Sequence, residues 1–475
     1  MGRTLLALLP ALFILSGQAR AETIAITDVG VVDVARGRTR VAQTVVIDSG
    51  RIRAVGDFRR TPVPADARRI DGRGRFLIPG LWDMGSFVLD GLKEGVPGGL
   101  ELMVAHGIVG TRDLNTALPP AEVAALVRGI ESGAIVGPKL IWTTRALSKT
   151  LTANVSGAAA SRAEIVDEAT AITAVEEAAN SGAHYIRVVQ NLPEQRLPAI
   201  VAAARERRLP VTGAFVGSWK AAAEAGISGF DHFVDLYRST ARRPERDEYL
   251  RLYRDGAFRV ARANSRDAMY AFFAPLRGLR DEPYYRAAIT ALARANAPVT
   301  TNMATMFWAQ LGNADRISTR LKYGYPAPPP PPAPPTAIDG RSRDGLWSDL
   351  RDLRDAGVPI LAGSGAGGSG RELPGATLHD ELVWLVRAGF SPREALAAAT
   401  ITPAAVIARL FPRVRAARRV MAGEPADLVL LDANPLDDIE NVRKIRAVVA
   451  NGRWLGPEER AVLFERAAAL AAVKR

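Results

Sequence analysis

Four histidines (His106, His184, His232 and His379) and no cysteine are the imidazole and thiol inventory of this 475-residue chain. Those are the groups that hold zinc and most catalytic transition metals. Without cysteine, thiol nucleophiles, thiolate metal sites and iron–sulfur clusters are excluded. The histidines stand far apart, and no His-x-His, His-x-x-Glu-His or His-Glu-x-x-His spacing occurs. A three-histidine metal centre would have to be assembled by the fold. His232, in Phe230-Asp231-His232, is the candidate for a general base, because imidazole titrates near neutral pH. A lone histidine also reads as a hydrogen-bonded core residue. His106, ahead of Gly107, reads as a structural or capping residue at a helix end. The glycine run from Gly363 to Gly370 lacks the Lys-Ser/Thr that a phosphate loop carries.

The elements that must position these residues alternate between short apolar runs and helical patterns, which predicts βα units around a parallel sheet. Eight strands are expected: Leu77–Asp83, Ile108–Asp113, Lys139–Thr143, Tyr185–Val189, Pro210–Ala214, Ser228–Phe233, Pro298–Met303 and Val358–Gly363. Ser161-Arg162-Ala163-Glu164 and Ser391-Pro392-Arg393-Glu394 read as capping boxes that open helices. Eight such units predict an α/β fold, a (β/α)8 barrel with insertions. The β-branched stretches Thr23–Val34, Thr44–Ile47 and Ile52–Val55, with Asp427–Leu431 and Ile445–Val449 near the other end, predict a small β-sandwich built from both chain ends. The expected division is a leader at 1–21, β-sandwich at 22–76, barrel at 77–412, and the rest of the sandwich with a C-terminal helix at 413–475. Residues 238–297 read as a Tyr/Arg-rich helical insertion. Pro326–Pro335 reads as a stiff polyproline surface loop.

Composition narrows the partners. The net charge is +12 from 62 basic and 50 acidic residues, with 48% hydrophobic residues. Disordered and collagen-like chains are excluded. Seven of the basic residues are lysine, and the many arginines are spread along the chain and mixed with acids. The densest run, Arg413–Arg419, carries no interleaved aromatics on which bases could stack. A solvated arginine-rich surface is expected, with a small-molecule ligand and no nucleic acid. Met1–Ala21 carries Arg3, an apolar run from Leu5 to Leu15 and the small-x-small end Ala19-Arg20-Ala21, the pattern of a cleaved export signal. The run is shorter than the ~20 residues that span a bilayer. An exported mature protein beginning at Glu22, periplasmic or extracellular and without a stable membrane anchor, is therefore expected.

At this point the chain resembles the metal-dependent amidohydrolase superfamily, in particular its exported imidazolonepropionase-like and dipeptidase-like members. The likeness rests on Ile70-Asp71-Gly72-Arg73-Gly74, Phe76-Leu77-Ile78-Pro79-Gly80-Leu81-Trp82-Asp83-Met84 and Gly107-Ile108-Val109-Gly110-Thr111-Arg112-Asp113. It continues in Leu378-His379-Asp380-Glu381-Leu382, Ala388-Gly389-Phe390-Ser391-Pro392 and Pro425-Ala426-Asp427-Leu428-Val429-Leu430-Leu431. The resemblance implies the barrel and β-domain, and one or two divalent metals, commonly zinc. These would be held by a His-x-His after strand one, a strand-four lysine, histidines after strands five and six, and an aspartate after strand eight. The metal would acidify a water for attack on a C–N bond. On this sequence those positions are Gly85 and Phe87, Arg187, Ala214, His232 and Gly365, so His232 alone keeps a ligating side chain. His379 resembles a position that supports the family's metal ligands.

No cofactor is predicted on this residue set. Arg187 would place a guanidinium where the family's lysine points into the barrel, suited to a carboxylate or phosphate, or else to a buried ion pair with Asp231. Ser86 and Ser364 fall at strand ends facing the same mouth, without a Gly-x-Ser-x-Gly elbow. Two function classes stay open. One is a degenerate, metal-free member that binds a small molecule, an anion included, through Arg187 and His232. The other is an active hydrolase of amide or cyclic-amide C–N bonds, the label the resemblance implies. A metal-free lyase or hydrolase using His232 and Arg187 is a third, weaker option.

Overall fold

The computed structural model describes residues 22–90, 95–116, 118–148, 162–189, 192–214, 217–242, 244, 247, 280–306, 340–367 and 373–473. The leader-like 1–21, the polyproline run and most of the 238–297 insertion lie outside the described residues. Of that insertion, the helix Glu282–Ala295 is seen.

The two ends of the chain meet in one eight-stranded sheet. Its strands are β1 (Ile24–Asp33), β2 (Arg38–Asp48), β3 (Arg51–Asp57), β4 (Arg68–Asp71), β5 (Phe76–Pro79) and, some 350 residues on, three more from the C-terminal part. β1 pairs antiparallel with β2 on one edge. On its other edge it pairs with β4 through Ile24–Thr27 and with β5 at Gly30–Val31, so the sheet branches there. Alternate buried residues (Ile24, Ile26, Val45, Ile47, Leu428, Leu430) enclose a β-domain core, as period-two patterning requires.

Leu77–Asp83, expected as one strand, is two. Phe76–Pro79 pairs antiparallel with Leu428–Leu431 of the β-domain. After Gly80, Leu81–Ser86 (β6) opens the barrel. Pro79 has no N–H to continue a ladder, and Gly80 passes against Val109, whose methyl carbons would meet a Cβ at 2.4–2.5 Å. The chain crosses between domains at the residue without a side chain.

The barrel strands follow the expected order: β6, β7 (Ile108–Asp113), β8 (Lys139–Ile141), β9 (Ala146–Ser148), β10 (Arg162–Glu164), β11 (Ile186–Val188), β12 (Val211–Gly213), β13 (Gly229–Phe230), β14 (Val299–Thr300) and β15 (Ile360–Leu361). Parallel pairing joins β6–β7–β8 and, in a second ladder, β10–β9–β11–β12–β13–β14–β15. A bridge between Thr143 and Tyr185 connects the two ladders on one side. On the other side, Met84 N–H donates to Ala362 O (2.9 Å) and Gly365 N–H to Gly85 O (2.7 Å). The third stave is therefore bent: β8 serves β7, and its continuation β9 serves β11. The last three strands, β16 (Leu428–Leu431), β17 (Ile445–Ala450) and β18 (Arg453–Leu455), complete the β-domain.

Of the expected box Ser161–Glu164, Ser161 lies outside the described residues, and Arg162–Glu164 does not open a helix. Arg162–Glu164 is β10, paired to Ala146–Ser148. The following helix begins at Glu168, with Asp167 and Thr170 forming the capping box. The β-branched Ile165 and Val166 favour extended chain before Asp167 can cap. The second box is present: Ser391 accepts from Glu394 N–H while Glu394 returns to the Ser391 N–H at 2.8 Å. Replacing Ser391 with Ala is expected to cost about 1 kcal/mol, read as a lowered urea midpoint with unchanged slope.

Candidate active site

The barrel interior is organised around one acid. Asp231, directly after β13, is fully buried. Its Oδ1 accepts from Arg112 Nη2 at 2.6 Å and its Oδ2 from Arg187 Nε at 2.9 Å. Arg112 comes from β7, Arg187 from β11, and both side chains are almost fully buried. Arg112 also donates to Met84 O (2.9 Å), Thr212 Oγ1 (3.1 Å) and Thr300 Oγ1 (2.9 Å), so it spans the barrel and reaches four other strands or strand ends. Burial alone would raise the Asp231 carboxyl. The two guanidinium groups outweigh it and hold the group at about 2.

Around this cluster the strand ends place the remaining candidates. Phe87 stacks on His232, with ring centroids 6.5 Å apart and planes at 17°. Arg187 lies over the other aromatic partner, its guanidinium carbon 5.7 Å from the Phe87 centroid. His232 sits at φ +60° and its Nδ1 is 3.0 Å from Asn302 Oδ1. Asn302 in turn donates from Nδ2 to Gly85 O at 3.1 Å. Of the six expected positions, Phe87, Arg187 and His232 are therefore brought together beside the strand ends, and the Nε of Arg187 makes the ion pair with Asp231.

Other expectations separate from the site. Ser86 and Ser364 are both fully buried. The Ser86 hydroxyl bonds Thr111 Oγ1 at 2.8 Å, and Ser364 Oγ donates to Asp83. They fix strand ends and do not face the mouth as nucleophiles. Burial pushes the carboxyls of Asp83 and Asp113 upward. His106 and His379 meet edge-on at 5.8 Å, and His379 Nε2 lies 2.9 Å from His106 O. Burial lowers His106 to about 4 and His379 well below its ordinary range, so both are neutral structural residues. His184 edges onto Trp142 at 6.3 Å, and burial lowers it to about 4.

Two positions that organise the site escaped sequence reasoning. One is Arg112, whose signal was a cation inside a strand buried along its whole length. The other is Glu381 on the helix Ala376–Arg387, fully buried beneath the loop that carries Asn302. It accepts from Thr301 Oγ1 and from the N–H groups of Asn302 (2.9 Å), Met303 (2.9 Å) and Ala304 (2.6 Å). Burial pushes its carboxyl up to about 7 against those donors. Nothing in Leu378-His379-Asp380-Glu381 discloses which backbone it will meet.

The side chains present do not fit a divalent metal. Among the described residues no group of three His, Asp or Glu side chains stands in a metal-holding arrangement. The vacated volume is also refilled. A Cβ on Gly85 would meet Thr300 Cγ2 at 3.0 Å and Asn302 Nδ2 at 3.1 Å, and one on Gly365 (φ +65°) would meet Thr305 Oγ1 at 2.4 Å. Ala214 is buried, Phe87 carries no donor, and Arg187 is a permanent cation.

This strand order, the two-ended β-domain and a site at the strand ends define an amidohydrolase-type barrel. Residues 76–455 match the model of the amidohydrolase family, and the chain belongs to that family. Three solved structures illustrate the likeness in fold. A prolidase complexed with N-methylphosphonate-L-proline is 20% identical with TM-score 0.64, over 91% of this chain and 99% of that one. Molinate hydrolase is 18% identical with TM-score 0.65, over 92% and 95%. The ochratoxinase of A. niger is 18% identical with TM-score 0.61, over 92% and 96%. No curated relative matches the chain in sequence.

Replacing Asp231 with Asn is expected to leave two buried guanidinium groups without a counter-charge and to cost about 3–5 kcal/mol in chemical denaturation. The Asp231 carboxyl titrates at about 2 when folded, below its ordinary 3.8. Its stabilising contribution is thus complete above roughly pH 4 and lost as pH falls through 2. The variant is expected to lack that part of the acid-unfolding slope.

Proposed function

We propose that this chain is a metal-independent member of the amidohydrolase family, a degenerate enzyme that binds a small anionic molecule at the barrel mouth. The observation that carries the reading is the Arg112–Asp231–Arg187 cluster under that mouth. Two permanent cations face one ionised acid, and the surplus positive charge sits in a low-dielectric interior where it acts strongly on a ligand. Arg187 and His232 would bind and orient the anion, with the Phe87 ring covering its apolar part. Asn302 holds the His232 ring, and Glu381 holds the loop that carries Asn302. The refilled Gly85 and Gly365 positions support the same reading, since restoring a ligand side chain there would require the loops to move. The leader-like Met1–Ala21 supports an exported site of action.

Elemental analysis of the purified protein tests the proposal. Well under one zinc, manganese or iron per chain is expected, with a thermal midpoint indifferent to chelator. About one tightly held metal per chain, with amide hydrolysis that chelation abolishes, would establish the metal-dependent C–N hydrolase instead.

A further inference from the structure

A second concentration of charge lies away from the barrel mouth. Arg36, Arg38 and Arg40 stand at the connection of β1 and β2. Arg418 and Arg419, nearly four hundred residues on, line the same cleft. Arg40 Nη2 donates to Val420 O at 3.3 Å and ties the two segments together. The cleft has a volume of about 560 Å³ and borders Pro79, where the chain passes from the β-domain to the barrel.

Its floor is apolar. Val32, Val34 and Val420 are buried against the domain core, and Ile401 and Met421 complete the lining. Met421 is 44% exposed, and Val41, next to Arg40, is 71% exposed. The acid in the lining is Asp33, already bonded to Arg36 at 3.0 Å. Asp33 also stands opposite Arg38 across the strands. Against the upward push of burial, its hydrogen bonds with Arg36 and the charges of Arg36 and Arg38 lower its carboxyl. Among the described residues, however, no carboxylate forms an ion pair with Arg38, Arg40, Arg418 or Arg419.

Like charges gathered on a surface repel, by up to about 1 kcal/mol per close pair in water. Within the fold the gathering is offset by the Arg40–Val420 hydrogen bond and by the single charge of Asp33, which leaves a surplus of positive charge for a ligand to neutralise. A guanidinium fork matches phosphate or carboxylate bidentately. The volume lies in the ~300–1,000 Å³ range of small-molecule sites, which are lined mostly by apolar side chains. We propose that this cleft binds an amphipathic anion, with its phosphate or carboxylate on the arginine rim and its apolar body on the valine floor. A free amphiphile and the headgroup end of an acidic bilayer lipid share that chemistry. The cleft shares no residue with the barrel mouth, so this proposal stands apart from the one above.

Calorimetric titration of the full chain with octyl phosphate below its micellar concentration tests it. One site per chain is expected, with inorganic phosphate and octyl glucoside each at least ~10-fold weaker. The exposed double substitution Arg38→Ala/Arg419→Ala is expected to leave the unfolding midpoint no lower than before, since it relieves repulsion, and to weaken octyl phosphate at least ~10-fold, about 1.4 kcal/mol. Flotation with phosphatidylcholine vesicles, with or without phosphatidylglycerol, separates the two sources. Capture by acidic vesicles that the substitution abolishes assigns a bilayer lipid. Octyl phosphate binding without capture assigns a free amphiphile. No octyl phosphate binding, or binding that the double substitution leaves intact, overturns the proposal.

Discussion

A carboxylate with no access to water, gripped by two guanidinium groups from different strands, is the constraint to which the barrel interior conforms. Asp231 can remain charged at full burial only because Arg112 and Arg187 reach both its oxygens. Each arginine in turn can be buried only because the acid is there. Arg112 then dictates what its neighbours must be. Its Nη1 needs the Thr212 hydroxyl, its Nη2 the Thr300 hydroxyl and its Nε the Met84 carbonyl. Residues from β6, β7, β11, β12 and β14, with Asp231 directly after β13, are thereby fixed by one polar network. Networks of this kind tolerate little, since a single unsatisfied member leaves a charge stranded in low dielectric.

That network changes what the strand ends can do. In a metal-dependent barrel the charge at the mouth is a divalent ion held by imidazoles and carboxylates. Here the positive charge is supplied from below by side chains, and the space beside it is taken up by Thr300, Asn302 and Thr305. Glycine at 85 and 365 lets those neighbours close in. The φ of +65° at Gly365 suits a residue without Cβ and would strain an aspartate. On the metal-independent reading proposed above, the residue types at these positions and the close packing around them form one arrangement, which reversing a single position would not undo.

Much of this was legible in the residues, and the exceptions have physical causes. Strand order, the two-ended β-domain and the convergence of Phe87, Arg187 and His232 followed from periodicity and from the family's motifs. Each belongs to a segment whose pattern is local. Arg112 was missed because its role depends on three partners far away in sequence, and a cation in a short strand is usually an edge residue. Glu381 was hidden for a similar reason: it serves the backbone of Asn302, Met303 and Ala304, which carries no sequence signal. Ser86 and Ser364 misled because a strand end gives a residue's place but not the direction of its hydroxyl. Ser161–Glu164 has capping-box letters, yet the backbone groups of Arg162–Glu164 found partners in β9 first.

The positive charge of the chain has the same lesson in it. Read along the sequence, the arginines are dispersed and mixed with acids, which describes a solvated surface. Folding sorts them into unlike roles. Arg112 and Arg187 become interior cations bonded to one acid, while Arg443 joins the largely covered Asp380 and the exposed Glu440, and Arg354 an exposed pair with Asp355 that contributes little. Arg38, Arg40, Arg418 and Arg419 come together from the two distant segments that build the β-domain. That last grouping exists only because β5 and β16 pair and bring the chain ends side by side. The β-domain is therefore more than a cap that covers the barrel flank. By joining the two ends it creates a charged cleft that neither end contains alone.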